Sequence, residues 1–244
     1  MTANGPKVVL LHGMLGIPRF FWREYFHNVR PMLEQMGLQV IVPRLPWGGT
    51  IKARADSLFE QLKNEAGPLH LIAHSMSGLD ARSCIMHMNS HANIASLTTL
   101  STPHHGSAAA DYVLSGFSLF RLLSSMADLT PKAIRIFNGQ TPNHPNVIYR
   151  SYSAARPVAE QPCFVRHYGR TIQAAEGDND SQVSVSSAQW GEHVRTLYAD
   201  HFEIIGLNLW MNPFRKRQRF NHIPLYREIA EWILRFEQEK EGGE

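Results

Sequence analysis

Ser75 lies in the run Leu69-His70-Leu71-Ile72-Ala73-His74-Ser75-Met76-Ser77-Gly78-Leu79. There a short apolar stretch passes through small residues into the helical pattern Leu79-Asp80-Ala81-Arg82. A serine hydroxyl is a weak nucleophile at neutral pH, and it reacts only when a base takes its proton and a carboxylate orients that base. A serine at the apex of a strand–turn–helix suits this chemistry, because the sharp turn holds it in a strained conformation with its hydroxyl clear of the backbone. Such a nucleophile elbow needs small residues two places to either side, in the usual pattern G-x-S-x-G. Ala73 and Ser77 meet the size requirement without being glycine. The competing reading is an ordinary serine after a strand, since short motifs recur by chance.

In α/β-hydrolases the acid and the base follow the serine in the order Ser, Asp or Glu, His. Of the thirteen histidines, this order leaves His193, His201 and His222. For the acid, Asp180 in the Gly-Asp-Asn-Asp-Ser turn is preferred, just before the strand expected at Val183-Ser184-Val185. Asp178 is the alternative, or a turn cap, and Asp200 adjoins His201 too closely in sequence to orient it. His201 follows the strand-like Leu197-Tyr198-Ala199, and His222 precedes the final helix. Spacing leaves both open as the base. Two backbone N–H groups should bind the developing oxyanion: that of Met76, after the serine, and that of Met14 in the His12-Gly13-Met14 loop after the first strand.

The elements that would position these groups alternate. Strands are expected at Lys7 to Leu11, Gln39 to Pro43, the elbow run, Ile94 to Leu100 and Val147 to Tyr152. Helical patterns run from Phe20 to Met36, closed by Gly37, and through Ala55, Leu58, Phe59 and Leu62. The alternation predicts an α/β fold with a mostly parallel, doubly wound sheet in one domain over residues 1–244. From Gly106 to about Pro145 it breaks into an apolar, irregular insertion with Val113, Leu114, Phe117, Leu119, Phe120, Leu122, Leu123 and Met126. This stretch is a lid-like acyl cover or else plain core. Phe164 to Ala174 is weakly helical. The chain closes on an amphipathic helix opened by Pro224, with Leu225, Ile229, Trp232, Ile233 and Phe236 on one face.

Hydrophobic residues make up 43% of the 244-residue chain and charged ones 18%, which suits a substantial core. The net charge of +3 is local: without Arg215, Lys216, Arg217 and Arg219 the remainder carries −1, so no nucleic-acid partner is expected. Trp210 to Phe220 interleaves aromatic and basic residues. It reads as a peripheral contact with an anionic membrane, or as a solvated basic loop. No stretch approaches the ~20 apolar residues of a membrane span. The opening residues carry no secretory pattern, so the expected location is cytoplasmic, free or peripheral to a membrane. Two cysteines suggest no disulfide framework, and Cys84 reads as a small packed residue.

Several segments together resemble bacterial triacylglycerol lipases of the Pseudomonas and Burkholderia type and, more closely, fungal mitochondrial triacylglycerol lipases. They are Leu10 to Gly16, Arg54-Ala55, Ala73 to Arg82, Ser101-Thr102-Pro103-His104-His105-Gly106-Ser107, Asn179-Asp180, Val183 to Ser187, Trp190-Gly191-Glu192 and Asp200-His201-Phe202-Glu203. The resemblance implies the α/β-hydrolase fold and a serine carboxylic-ester hydrolase acting on acylglycerols or related lipid esters, with no cofactor. It implies Ser75 as nucleophile, Asp180 as acid, His201 as base, and Met14 and Met76 as oxyanion donors. The same triad would serve phospholipid or acyl-thioester hydrolysis, and a non-catalytic lipid-binding homologue is the remaining alternative. The chain departs from the family in three places. Ser77 replaces a glycine, and the insertion is shorter than the family's lids. Glu203 and Leu207 stand at positions of a structural calcium site, where leucine offers no ligand, so no metal is expected.

Overall fold

The computed structural model describes residues 5–16, 19, 20, 23–88, 94–116, 124–210 and 217–242. Phe117 to Leu123, with five of the apolar residues expected in the insertion, and residues 211–216 of the basic segment lie outside them.

Six strands form one parallel sheet in the order β4-β1-β5-β6-β7-β8. They are β1 (Lys7–Leu11), β4 (Gln39–Ile41), β5 (Leu69–His74), β6 (Ile94–Leu100), β7 (Ile148–Ala154) and β8 (Glu192–Leu197). Apolar side chains alternate across it. Val8, Leu10 and Ile72 enter one core with α8 (Ile223–Gly242), whose Leu225, Tyr226, Ile229, Ala230 and Ile233 point inward. Val9, Leu11, Leu69, Leu71 and Ala73 enter the other, beneath α2 (Ile51–Leu62) and α3 (Ser77–Met88). Burial on both faces is why β1 reads as a continuous apolar run, and β5 and β6 are buried along their whole length with small or hydrogen-bonded polar residues among the apolar ones. The doubly wound α/β sheet is the architecture expected, and Cys84 is packed in the second core.

Two expected elements are absent. No helix begins at Phe20: β2 (Arg19–Phe20) and β3 (Arg23–Glu24) pair antiparallel, and α1 covers only Val29–Gln35. Asn28, at φ 56°, interrupts the backbone ahead of that helix, and Tyr25 leaves the helical pattern to bond the loop after β1. Val183 to Val185 is not a strand. It is a turn closed by a lone bridge between Asn179 and Ser184, whose backbone is satisfied by Asp178 and Asp180. The insertion holds α4 (Ala108–Ser115), α5 (Ser124–Asp128) and α6 (Pro131–Gln140), with Ser107 and Thr130 capping α4 and α6. The weak helical pattern near Phe164 becomes α7 (Arg166–Glu176).

Helix α3 starts directly beneath the elbow, and its close fit depends on Gly78. A Cβ there would lie 2.3 Å from Thr102 Oγ1 and 2.9 Å from Thr102 Cβ. Thr102 is fully buried and its hydroxyl donates to the Ser75 carbonyl, so it has no room to withdraw. Gly78→Ala should therefore destabilise the chain by about 1–3 kcal/mol through overpacking. Thermal melting would show this as a loss of about 2–4 °C per kcal/mol, whereas an unchanged melting temperature would contradict the packing described.

Candidate active site

The turn after β5 carries Ser75 in the left-handed region at φ 60°, a conformation that costs a side-chain-bearing residue about 1–2 kcal/mol. Three hydrogen bonds hold it. The Ser75 N–H donates to Leu100 O at 2.9 Å. Its carbonyl accepts from Gly78 N–H at 3.2 Å and from the Thr102 hydroxyl at 2.7 Å. Ser77, where glycine is usual, is buried. Its hydroxyl lies 2.7 Å from Leu11 O and 2.8 Å from His74 O, tying the end of β1 to the end of β5. The departure from glycine thus adds a tether rather than disrupting the elbow.

Ser75, His201 and Asp180 meet at the carboxyl end of the sheet, where open α/β sheets place their ligands. His201 Nε2 is 3.0 Å from Ser75 Oγ, and its Nδ1 is 2.7 Å from Asp180 Oδ2. A carboxylate only accepts, so Nδ1 carries the hydrogen and Nε2 is free to accept the serine proton. The second Asp180 oxygen accepts the backbone N–H groups of Gln182 and Val183, at 2.9 and 2.8 Å, which keeps a buried carboxylate fully bonded. The His201 N–H also donates to the Asp180 carbonyl at 2.9 Å. The other candidates are engaged elsewhere. Asp178 is exposed at the turn. His193 bonds Ser153 on β7, and His222 bonds the His27 carbonyl at 2.7 Å.

The residues flanking His201 are braced by cations from within the chain. Asp200 accepts from both terminal nitrogens of Arg217 at 2.9 Å. Glu203 pairs with Arg156 at 3.1 Å and with Arg217 at 2.9 Å. All four side chains are buried. Burial and the nearby Glu203 charge raise the Asp200 pKa, and Arg217 opposes that shift. Arg217 therefore does not belong to an exposed basic patch, which corrects the reading of Trp210 to Phe220 at this residue. The same arrangement does not fit a calcium ion. Both carboxylates are already neutralised by guanidinium groups, and Leu207 packs against the apolar core. Among the described residues, no group of three or more His, Cys, Asp or Glu side chains could hold a metal.

The loop after β1 is pinned group by group. Arg54, itself paired with Asp80 at 2.7 Å, donates to the His12 carbonyl at 2.7 Å. The His12 ring accepts Leu45 N–H at Nε2, so its Nδ1–H donates to the Gly13 carbonyl at 3.0 Å. Burial lowers the His12 pKa to about 4, which keeps the ring neutral. Gly16 N–H reaches the same carbonyl at 3.2 Å. With that C=O fixed, the N–H of the same trans peptide, which belongs to Met14, must point the opposite way. Among the described residues, no acceptor meets the N–H of Met14 or of Met76. Gly13 is required by close approach, because a Cβ would sit 2.9 Å from Ser75 Cβ.

Ser75 and His201 open into a cavity of about 910 Å³. One wall is Ala110, Val113, Met126 and Leu129 of the insertion with Tyr168 of α7. The other is Phe202, Ile205 and Leu207 with Arg23 and Glu24. The insertion is therefore both a small core and a wall of the cavity. Leu15, Trp47 and Phe164 line the cavity and remain exposed. The sequence assigns no site role to Arg54, Tyr25, His74 or Thr102, and it places Arg217 in a surface segment. Their roles are long-range hydrogen bonds, for which no local pattern exists. Arg54, His74 and Thr102 carried a signal only as parts of resembling segments.

A family model of a PGAP1-like alpha/beta domain matches residues 51–135. The chain is 35% identical over 212 residues to triacylglycerol lipase 2 of Saccharomyces cerevisiae, spanning 78% of this chain and 63% of that one. It is 31% identical over 145 residues to the triacylglycerol lipase of Pseudomonas fragi, spanning 57% and 49%. The chain thus covers less than two thirds of either relative. Among solved structures, Staphylococcus hyicus lipase superposes with a TM-score of 0.80 at 17% identity, over 99% of both chains. Bacillus licheniformis lipase BlEst2 does so with 0.73 at 22% identity, over 94% and 93%. The α/β-hydrolase fold and the resemblance to triacylglycerol lipases are borne out.

Ser77→Ala removes the hydroxyl tether between the ends of β1 and β5 while keeping the small volume. Losing this buried donor should cost about 1 kcal/mol, read as a melting temperature lower by about 2–4 °C. A variant as stable as the parent would show that the tether carries no weight.

Proposed function

We propose that this chain is a serine hydrolase that cleaves the carboxylic esters of acylglycerols or related lipids. The hydrogen-bonded series Ser75–His201–Asp180, opening into an apolar cavity, carries this reading. In acylation, His201 Nε2 takes the Ser75 proton as Oγ forms a bond to the acyl carbon. Asp180 holds the imidazole in the required tautomer and stabilises its cation. The carbonyl electrons move onto oxygen, which meets the N–H groups of Met14 and Met76. As the tetrahedral species collapses, the bond to the alkoxy oxygen breaks and His201 returns the proton to the departing alcohol. A water, deprotonated by His201, then attacks the acyl-enzyme, and the second collapse releases the fatty acid and restores Ser75.

The apolar wall formed by Ala110, Val113, Met126 and Leu129 favours acyl chains over small polar esters. Membrane contact through Trp210 to Phe220 would rest on residues other than Arg217, whose charge is spent on Asp200 and Glu203. Acyl thioesters and phospholipids would use the same relay, and a panel of glycerides, phospholipids and acyl thioesters separates these substrates. Ser77, the departure from the family nearest the nucleophile, fits the elbow as a tether, which counts against the non-catalytic alternative.

Ser75→Ala should lower kcat/KM for p-nitrophenyl esters by about 10⁴-fold or more with the melting temperature unchanged. Turnover retained in a folded Ser75→Ala chain would overturn the proposal.

A further inference from the structure

Beside His201 lies a second buried histidine that the chemistry above does not use. His74 ends β5, and its ring centroid is 4.5 Å from that of His201. Its Nε2 is 3.0 Å from the His201 carbonyl oxygen. A carbonyl only accepts, so this nitrogen carries the hydrogen. Burial, with His201 alongside, holds the His74 pKa well below its ordinary value, so the ring is neutral and Nδ1 accepts. The Tyr25 hydroxyl, 2.8 Å away, is the donor to Nδ1. Its oxygen then accepts the Gly13 N–H at 3.1 Å. Every donor in this series has one acceptor, and the direction is fixed throughout: Gly13 N–H to Tyr25, Tyr25 O–H to His74, His74 N–H to the His201 carbonyl.

The two ends of this series are the two loops that must converge on Ser75. One holds the Gly13–Met14 peptide after β1, and the other holds His201 after β8. These strands are not neighbours, with β5, β6 and β7 standing between them in the sheet. The sheet alone therefore leaves the separation of the two loops to contacts above it. The segment carrying Tyr25 supplies such contacts: Arg23 donates to Gly206 O at 2.6 Å and His27 N–H to Ile205 O at 3.2 Å. Within the site itself, the Tyr25–His74 pair makes the link.

We propose that Tyr25 and His74 are positioning residues that hold the oxyanion peptide and the base in register across Ser75. The inference rests on the hydrolase reading above. Without the Tyr25 hydroxyl, the N–H of the His12–Gly13 peptide has no partner, and the adjoining Gly13–Met14 peptide, held then only through its carbonyl, loses one of the contacts that set its orientation. His74 likewise loses the bond that fixes its ring against His201. Tyr25 and His74 reach the cavity only beside Ser75, and the apolar wall of Ala110, Val113, Met126 and Leu129 is unchanged by their substitution, so the loss falls on the chemical step.

The test compares Tyr25→Phe, His74→Gln and the double variant. Two readouts are needed: kcat and KM for p-nitrophenyl butyrate, and the second-order rate of inactivation by a fluorophosphonate, which needs no lipid substrate. Each single change should lower kcat and the inactivation rate together by about tenfold, less than the ~10²–10³ of losing an oxyanion donor outright. KM should stay within about twofold. The double variant should be no slower than the worse single, because one series can be broken only once. Wild-type rates in the singles, or a double variant whose loss is the product of the two, would overturn the inference. So would a Tyr25→Phe chain that melts lower yet is labelled at the wild-type rate. A parent chain that neither hydrolyses esters nor reacts with the fluorophosphonate overturns the hydrolase reading and this inference with it.

Discussion

The backbone of Ser75 is the constraint around which the neighbouring structure is arranged. A serine at φ 60° between a buried strand and a buried helix is unfavourable alone, and it persists because its surroundings leave no other conformation. Leu100 and Thr102 of the neighbouring strand and loop hold its N–H and C=O. That contact needs Gly78, since any side chain there would strike Thr102. On the other side, Gly13 passes so close to Ser75 Cβ that it too must lack a side chain. Ser77 then uses its hydroxyl to fasten β1 to β5. The nucleophile stands clear of the chain because these five neighbours accept such restrictions.

Charge is handled by the same logic of position. Each of the two loops that converge on Ser75 is backed by buried ion pairs: Arg54–Asp80 behind the loop after β1, and Arg156 and Arg217 with Asp200 and Glu203 around His201. Pairs of this kind contribute little net stability, because desolvation offsets their attraction, while breaking one leaves an uncompensated buried charge at a cost of about 3–5 kcal/mol. Their effect is to make each loop's position nearly all-or-none. A chemical step that tolerates errors of only a fraction of an ångström benefits from loops held in this way.

Five of the six strands of the sheet were legible in the sequence because their signals are local; β8, a largely polar edge strand with most of its residues exposed or half-buried, was not. Apolar runs such as Lys7 to Leu11 and Leu69 to His74, punctuated by glycine and proline, indicate buried parallel strands directly. Ser75 and Asp180 were legible from chain order and turn context, whereas His201 and His222 stayed open on those grounds and only the resemblance to triacylglycerol lipases pointed to His201. What could not be read was decided at long range. Tyr25 fits a helical stripe in sequence, yet its hydroxyl is drawn to Gly13 and His74, and the helix starts only after Asn28. Val183-Ser184-Val185 has the composition of a strand, yet Asp180 captures the Val183 N–H and leaves a turn. Arg217 sits in a basic run that suggests a surface, yet two buried carboxylates 14 and 17 positions earlier draw it inward. Each failure has one physical cause: a polar side chain whose partner is distant in sequence overrides the local pattern.

The central claim is that Ser75 becomes covalently acylated through His201. Rapid acid quench of the chain with p-nitrophenyl butyrate, followed by peptide mass spectrometry, tests it most directly. The account predicts a burst of p-nitrophenolate approaching one equivalent per chain, with the butyryl group on the peptide containing Ser75. Turnover with that peptide unmodified, or with the acyl group on another residue, would contradict it.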